Sequence, residues 1–268
     1  FYVWELEYKF PIIDIRVFKD KNFLYGTSIS SIINILLYST LLLVPLFSQS
    51  LIGYSPSASG LLMLPRAMVC LFGLLIMGEI AKVVENRLLT AIGFVIMAVA
   101  CFMLSCLNTT ASMHSIITPN LILCFGVSVA FVPISALSFL TLPANKTADA
   151  AGLHALFKNI VTAISTSAAS TFIARGGQVY QNNLVEHLAW HNPMYKVHLN
   201  ALQHKFMMMY PSVVAQKKAS GMLYKQLIMQ SKLGAFYDAF LWLALLAIVA
   251  IPFLLLLKNK IRRVKPSV

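Results

Sequence analysis

Two cations stand where charge is costly, and they are the first residues in this sequence that could do chemistry. Arg66 lies in Leu64-Pro65-Arg66-Ala67 and Lys158 in Leu156-Phe157-Lys158-Asn159, each within a long apolar run. A charge at a bilayer centre costs about 2.5 to 3.5 kcal/mol even on insertion scales. Such residues either snorkel to the surface along their stems or line a polar cavity between helices. Both readings stay open for Arg66 and Lys158, with Asn34 and Asn159 as weaker polar lining of the same pathway. The acids that could answer them are Glu79, Asp149 and Asp238, but each falls near the end of an apolar run. There an acid at an interface or a helix terminus has a simpler explanation. His154, one helical turn before Lys158, has an imidazole that could exchange protons near neutral pH, although a neutral hydrogen-bonded histidine is the simpler reading. Together His154, Glu79, Asp149 and Asp238 are the weak candidates for proton coupling.

Other chemistry finds less support. His187 and His191 stand four apart, yet Glu186-His187 reverses the order of the HExxH metal motif and no acid follows at suitable spacing. Cys70, Cys101, Cys106 and Cys124 lie in or beside apolar runs with no CxxC pair, and read as small buried hydrophobes. No metal centre and no cofactor is expected. Neither a nucleophile elbow nor a phosphate-cradling glycine loop is present, so an enzyme is not expected.

The elements that must position these residues are membrane helices. The chain is 59% hydrophobic and 11% charged, where a soluble domain carries roughly a quarter of its residues as charges. Bilayer hydrocarbon about 30 Å thick needs about 20 apolar residues per helix. Six runs meet that length, at about 23–47, 58–81, 88–107, 119–142, 150–174 and 234–257. An all-α membrane bundle is the expected fold. Residues 1–22 read as the end of a preceding span plus a cytoplasmic connection, 175–233 as an external amphipathic loop, and 258–268 as a basic cytoplasmic tail. The fifth run is rich in Ala, Ser and Thr, which lets neighbouring backbones approach closely.

The net charge of +12 does not imply nucleic acid, because its cations flank apolar runs. Lys9, Arg16, Lys19, Lys21, Lys82, Arg87, Lys146 and the tail cluster Lys258 to Lys265 fall on one side of the bundle. The short loops opposite, 48–57 and 108–118, contain no Lys or Arg. Positive-inside asymmetry places both ends in the cytoplasm. The lysines of 175–233 run against it, in a stretch near the length at which the rule stops applying.

The links between runs carry a resemblance. Pro11-Ile12-Ile13-Asp14-Ile15-Arg16-Val17-Phe18-Lys19 is similar to the central cytoplasmic link of the EmrB/QacA subfamily of the major facilitator superfamily. Gly53-Tyr54-Ser55-Pro56 through Leu64-Pro65-Arg66-Ala67 resembles its "GYSPLQAGLLLLPRAL" segment, and Gly78-Glu79-Ile80-Ala81-Lys82 to Arg87 its second hinge loop. Phe131-Val132-Pro133-Ile134-Ser135, Ala150-Ala151-Gly152-Leu153 and Lys232-Leu233-Gly234-Ala235-Phe236-Tyr237-Asp238 follow in the same order. The resemblance covers the chain as the subfamily's C-terminal six-span half. It implies a proton-coupled exporter of amphipathic drugs working by alternating access in a bacterial inner membrane. Its implied partners are the lipid bilayer, protons, the small substrate, an N-terminal half and, in Gram-negative relatives, a periplasmic adaptor that 175–233 could touch.

The chain also departs from that pattern. The fifth run has Phe157-Lys158-Asn159-Ile160-Val161-Thr162-Ala163 where the subfamily has an Arg and two glycines, and Lys82 replaces the hinge-loop Asp. The subfamily's proton-coupling acids belong to the N-terminal half. The opening Phe1-Tyr2-Val3-Trp4-Glu5 reads as the end of a span whose beginning lies upstream. A siderophore or metabolite exporter of the same fold, and a truncated non-transporting relic, remain as alternatives.

Overall fold

The computed structural model describes residues 17–18, 20–143, 146–187, 193–208 and 211–254. The basic tail, most of the first connection and His191 lie outside them. Helix α1 (Lys21–Phe47) starts where the Asp20 carboxylate accepts the Asn22 and Phe23 amides at 2.8 and 3.2 Å. That cap satisfies two of the amides a helix start leaves open. Pro45 lies near its end, and the backbone widens into a π-type turn over Ser48–Ile52. The Ser48 hydroxyl donates to the Val44 and Pro45 carbonyls there. Gly53 then reverses the chain at φ 86°, a conformation that favours glycine.

Span two is two helices in series, α2 (Pro56–Leu61) and α3 (Leu64–Ile80), with Ser55 capping the first and Pro65 in the opening turn of the second. Proline cannot donate an amide, so the break before Arg66 falls where the sequence places Pro65. Helices α4 (Asn86–Ser105) and α5 (Met113–Phe139) follow. Their backbones touch: a Cβ on Gly93 would come within 2.8 Å of the Gly126 carbonyl. Then come α6 (Thr147–His187), α7 (Pro193–Met207) and α8 (Ser212–Phe253).

The main core lies between α1, α4, α5 and α8, where Ile33, Phe47, Phe94, Met97, Phe236 and Phe240 are buried. α6 packs against α1 and α8, whereas α3 packs chiefly on α5. The opposite side of α3 presents Leu71, Phe72, Leu75 and Ile76 to the surroundings. Water would penalise such a surface, while lipid or a second bundle accepts it. Five stretches of described helix are long and apolar enough to cross a membrane: Lys21–Ile52, Pro56–Ile80, Asn86–Ser105, Met113–Phe139 and Ser212–Phe253. α6 has the length but not the apolarity, because His154, Lys158 and Asn159, with Ser and Thr residues after them, dilute it.

Much of 175–233 is helix rather than loop. α6 has 41 residues and α8 has 42, so at about 1.5 Å per residue each is roughly 60 Å long, about twice the hydrocarbon thickness. No proline stops either helix at the outward edge of its apolar run; beyond those edges the first prolines are Pro193 after α6 and Pro211 before α8. The Tyr180 hydroxyl donates to the Asp238 carboxylate at 2.8 Å, joining α6 to α8.

Candidate functional site

Arg66 is 3% exposed, held in the interior between α3, α5 and α1. Its Nη1 donates to Asn120 Oδ1 at 3.0 Å and its Nε to Cys124 Sγ at 3.2 Å, both on α5. Its Nη2 donates to the Leu37 carbonyl at 3.0 Å and Thr40 Oγ1 at 3.2 Å, both on α1. Thr40 in turn donates back to its own helix, at the Leu36 carbonyl. Every acceptor is formally neutral, and no carboxylate pairs with Arg66 among the described residues. A planar fork of donors suits this role, since one guanidinium on α3 reaches both α5 and α1 at once.

Lys158 and Asn159 lie on α6, away from Arg66. Lys158 is half-buried with its ammonium 6.0 Å from the centre of the Phe131 ring, and Asn159 is exposed. His154, one turn earlier, places Nε2 3.5 Å from the Ser30 hydroxyl, while its buried Nδ1 has no hydrogen-bond partner. Asn34, 2% exposed, donates to the Ser30 carbonyl. Ser30, Asn34 and His154 therefore form one small polar group between α1 and α6.

The candidate acids do not meet the two cations. Glu79 forms an exposed pair with Lys82 at 2.7 Å, within its own helix end. Asp149 sits in the first turn of α6, where the helix dipole favours an anion. Asp238 accepts from Tyr180.

Two adjoining cavities run along the small-residue face of α6. The first, about 160 Å³, is lined by Ile35, Ser39 and Leu43 of α1, Ser165, Ala168 and Phe172 of α6, and Trp242 of α8. The second, about 750 Å³, follows Ala163, Ser167, Ala168 and Thr171 towards Arg175, Gly176 and Asp238. Their walls are mostly apolar, with polar groups at the edges, as in cavities that hold amphipathic molecules.

Residues 6–166 match the model of the Major Facilitator Superfamily. This chain belongs to that superfamily, a family of transporters. Among its relatives is the fatty acid resistance protein FarB of Neisseria gonorrhoeae, 26% identical over 188 residues, 70% of this chain and 37% of FarB. The multidrug export protein EmrB of Escherichia coli K12 is 26% identical over 230 residues, 85% of this chain and 43% of EmrB. YhcA of Bacillus subtilis, an uncharacterised MFS-type transporter, is 26% identical over 99% of this chain and 51% of its own length. The chain thus spans about half the length, or less, of these curated relatives. Among solved structures, a bacterial homologue of the human lysosomal transporter Spinster superposes with a TM-score of 0.60 at 14% identity. That match covers 89% of this chain and 49% of the homologue, and shows the fold.

For this member of the superfamily, charge inside an apolar run pointed to Arg66 and Lys158, but not to the neutral side chains around them. Asn120, Thr40 and Cys124 complete the Arg66 cage, and Ser39, Ser165 and Trp242 line the smaller cavity. An Asn within an apolar run is a visible signal, and Asn120 could have been singled out by it. Trp242 and Ser165 carry no such mark.

Proposed function

We propose that this chain is the C-terminal bundle of a proton-coupled exporter of amphipathic compounds in a bacterial inner membrane. The observation that carries the reading is the small-residue face of α6, which lines two adjoining apolar cavities with polar edges. A second bundle packed over that face would close a substrate pathway between the halves, opening alternately to each side. Lys158 and Asn159 lie on the same helix and would add polar groups to the pathway, with Asn34 beside His154 behind them. Arg66 lines neither cavity; it would keep α1, α3 and α5 moving as one rigid unit.

Proton exchange within this bundle would fall to His154, whose Nδ1 is unpartnered. Glu79, Asp149 and Asp238 are better placed for surface pairing, helix capping and the Tyr180 link. Both ends would lie in the cytoplasm, and the projecting parts of α6 and α8 with α7 would reach outward to a periplasmic adaptor. The test is drug susceptibility of cells making the full-length protein or its Ala168→Trp variant. Ala168 lines both cavities, so an indole there fills the smaller one. Resistance should fall about tenfold, equivalent to about 1.4 kcal/mol of lost interaction. Unchanged resistance with normal expression would remove the α6 face from the pathway.

A further inference from the structure

We propose that the cleft between the start of α4 and the end of α8 binds one anionic phospholipid, such as phosphatidylglycerol, with Arg87 on its phosphate. The cleft is about 540 Å³ and lies where α4 begins and α8 finishes, apart from the two cavities of α6. Leu88 and Ala91 of α4 make its apolar wall with Ile251, Pro252 and Leu254, while Glu85 and Arg87 supply its charged part. Arg87 is half-buried with its Nε enclosed, and it finds neither a hydrogen-bond acceptor nor an ion-pair partner among the described residues. An enclosed donor without an acceptor is costly, and a phosphate offers the paired oxygens that a guanidinium fork matches. The backbone adds donors at the same place. Glu85 is the N-cap of α4, but its side chain makes no capping hydrogen bond. The first amides of the helix therefore stay open, at an end where the helix dipole favours an anion. Glu85 itself is exposed, so water screens its charge.

The apolar wall separates a lipid from a free anion. Leu88 begins a stripe of exposed apolar side chains on α4, continued by Ile92, Val95 and Val99 at helical spacing. Those three turns span about 16 Å, roughly half of a hydrocarbon core about 30 Å thick, which is the reach of one leaflet's acyl chain. A headgroup at Arg87 thus leaves its chains on a surface that water would penalise. Charge then selects among lipids. Lys82, the other cation of this link, is already paired with Glu79 at 2.7 Å, which leaves Arg87 as the cation that needs an anion. A zwitterionic headgroup would bring its own cation beside the guanidinium, whereas an anionic one does not. Basic pockets between membrane helices near the bilayer surface hold anionic headgroups for this reason. The assignment is independent of which compound the protein exports.

The test is native mass spectrometry of the full-length protein released from detergent micelles. It is titrated with phosphatidylglycerol, phosphatidylethanolamine or phosphatidylcholine of identical acyl chains, and the affinity of the first bound lipid is read. Phosphatidylglycerol should bind more tightly than either zwitterionic lipid. Arg87→Gln should weaken it by about fivefold to tenfold, the worth of one cation beside an anionic headgroup, and leave phosphatidylcholine unchanged. Arg87→Lys should keep most of the preference, because the charge remains. Ala91→Trp, which fills the apolar wall, should weaken phosphatidylglycerol binding with Arg87 intact. Glycerol 3-phosphate, which has the phosphate without the chains, should not displace the lipid. The basic tail is kept in every variant, so its attraction cancels in each comparison. The proposal is overturned if Arg87→Gln or Ala91→Trp binds phosphatidylglycerol as tightly as the parent. Equal affinity for the three lipids, or displacement by glycerol 3-phosphate, would overturn it as well.

Discussion

Arg66 sets the terms at the residue scale, because a buried guanidinium with only neutral acceptors is held by hydrogen bonds rather than by an ion pair. Truncating it to Ala strands Asn120 Oδ1, whose partner it is, and opens a void among three helices. An unsatisfied buried polar group costs about 1 to 3 kcal/mol. Arg66→Ala should therefore lower the unfolding temperature in detergent, and Arg66→Lys should recover only part of it, since an ammonium cannot span the same acceptors. Differential scanning fluorimetry checks this, and an unshifted midpoint for Arg66→Ala would show that the cage supports nothing. The sequence exposed Arg66 through a local rule, charge within an apolar run. Its partners stayed hidden because Leu37 and Thr40 come from α1, and a backbone carbonyl has no signature in sequence. Lys158 was legible for the same reason as Arg66, and its Phe131 neighbour was not.

Helix positions were readable from the apolar runs, and their lengths were not. Hydrophobicity reports where lipid would begin and end, whereas a helix ends only where a breaker or a lost hydrogen bond ends it. The apolar run of α6 fades at Ala174, yet the helix continues to His187. Tyr180 and Asp238 join the two long helices beyond or at the edge of those runs. Tyr180 ionises above the usual phenol value of 10.0, chiefly because its hydroxyl donates to the Asp238 carboxylate, with burial and the acid's charge adding to the effect. A raised phenol value means that the link contributes fully below pH 10 and is lost as pH climbs through the raised value. In a spectrophotometric tyrosine titration, Asp238→Asn should bring one phenol back towards the ordinary range; superimposable curves would refute the link. At the α4–α5 crossing, Gly93→Val forces a side chain into the Gly126 backbone and Ala130. Overpacking of this kind costs about 1 to 3 kcal/mol or more, so a folded Gly93→Val protein with unchanged thermal midpoint would contradict the close approach.

At the scale of the whole molecule, the exposed apolar side of α3 and the open face of α6 both ask for cover. In the proposed exporter, lipid would cover the first, and a second bundle the second, whose cavities carry polar edges. The chain matches about half the length, or less, of its relatives. The superfamily was legible from the order of the link motifs along the chain. The cavity was not, because it depends on which small residues of α6 meet α1 and α8. In the proposed exporter, proton-driven export of amphipathic compounds runs along α6. Its most direct test is uptake of an amphipathic dye into everted membrane vesicles carrying the full-length protein, under an imposed inward-acid gradient. Dye should accumulate with the gradient, stop when an uncoupler collapses it, and fall about tenfold in Ala168→Trp vesicles. Accumulation no greater than in vesicles lacking the protein, or indifferent to the gradient, would contradict the claim.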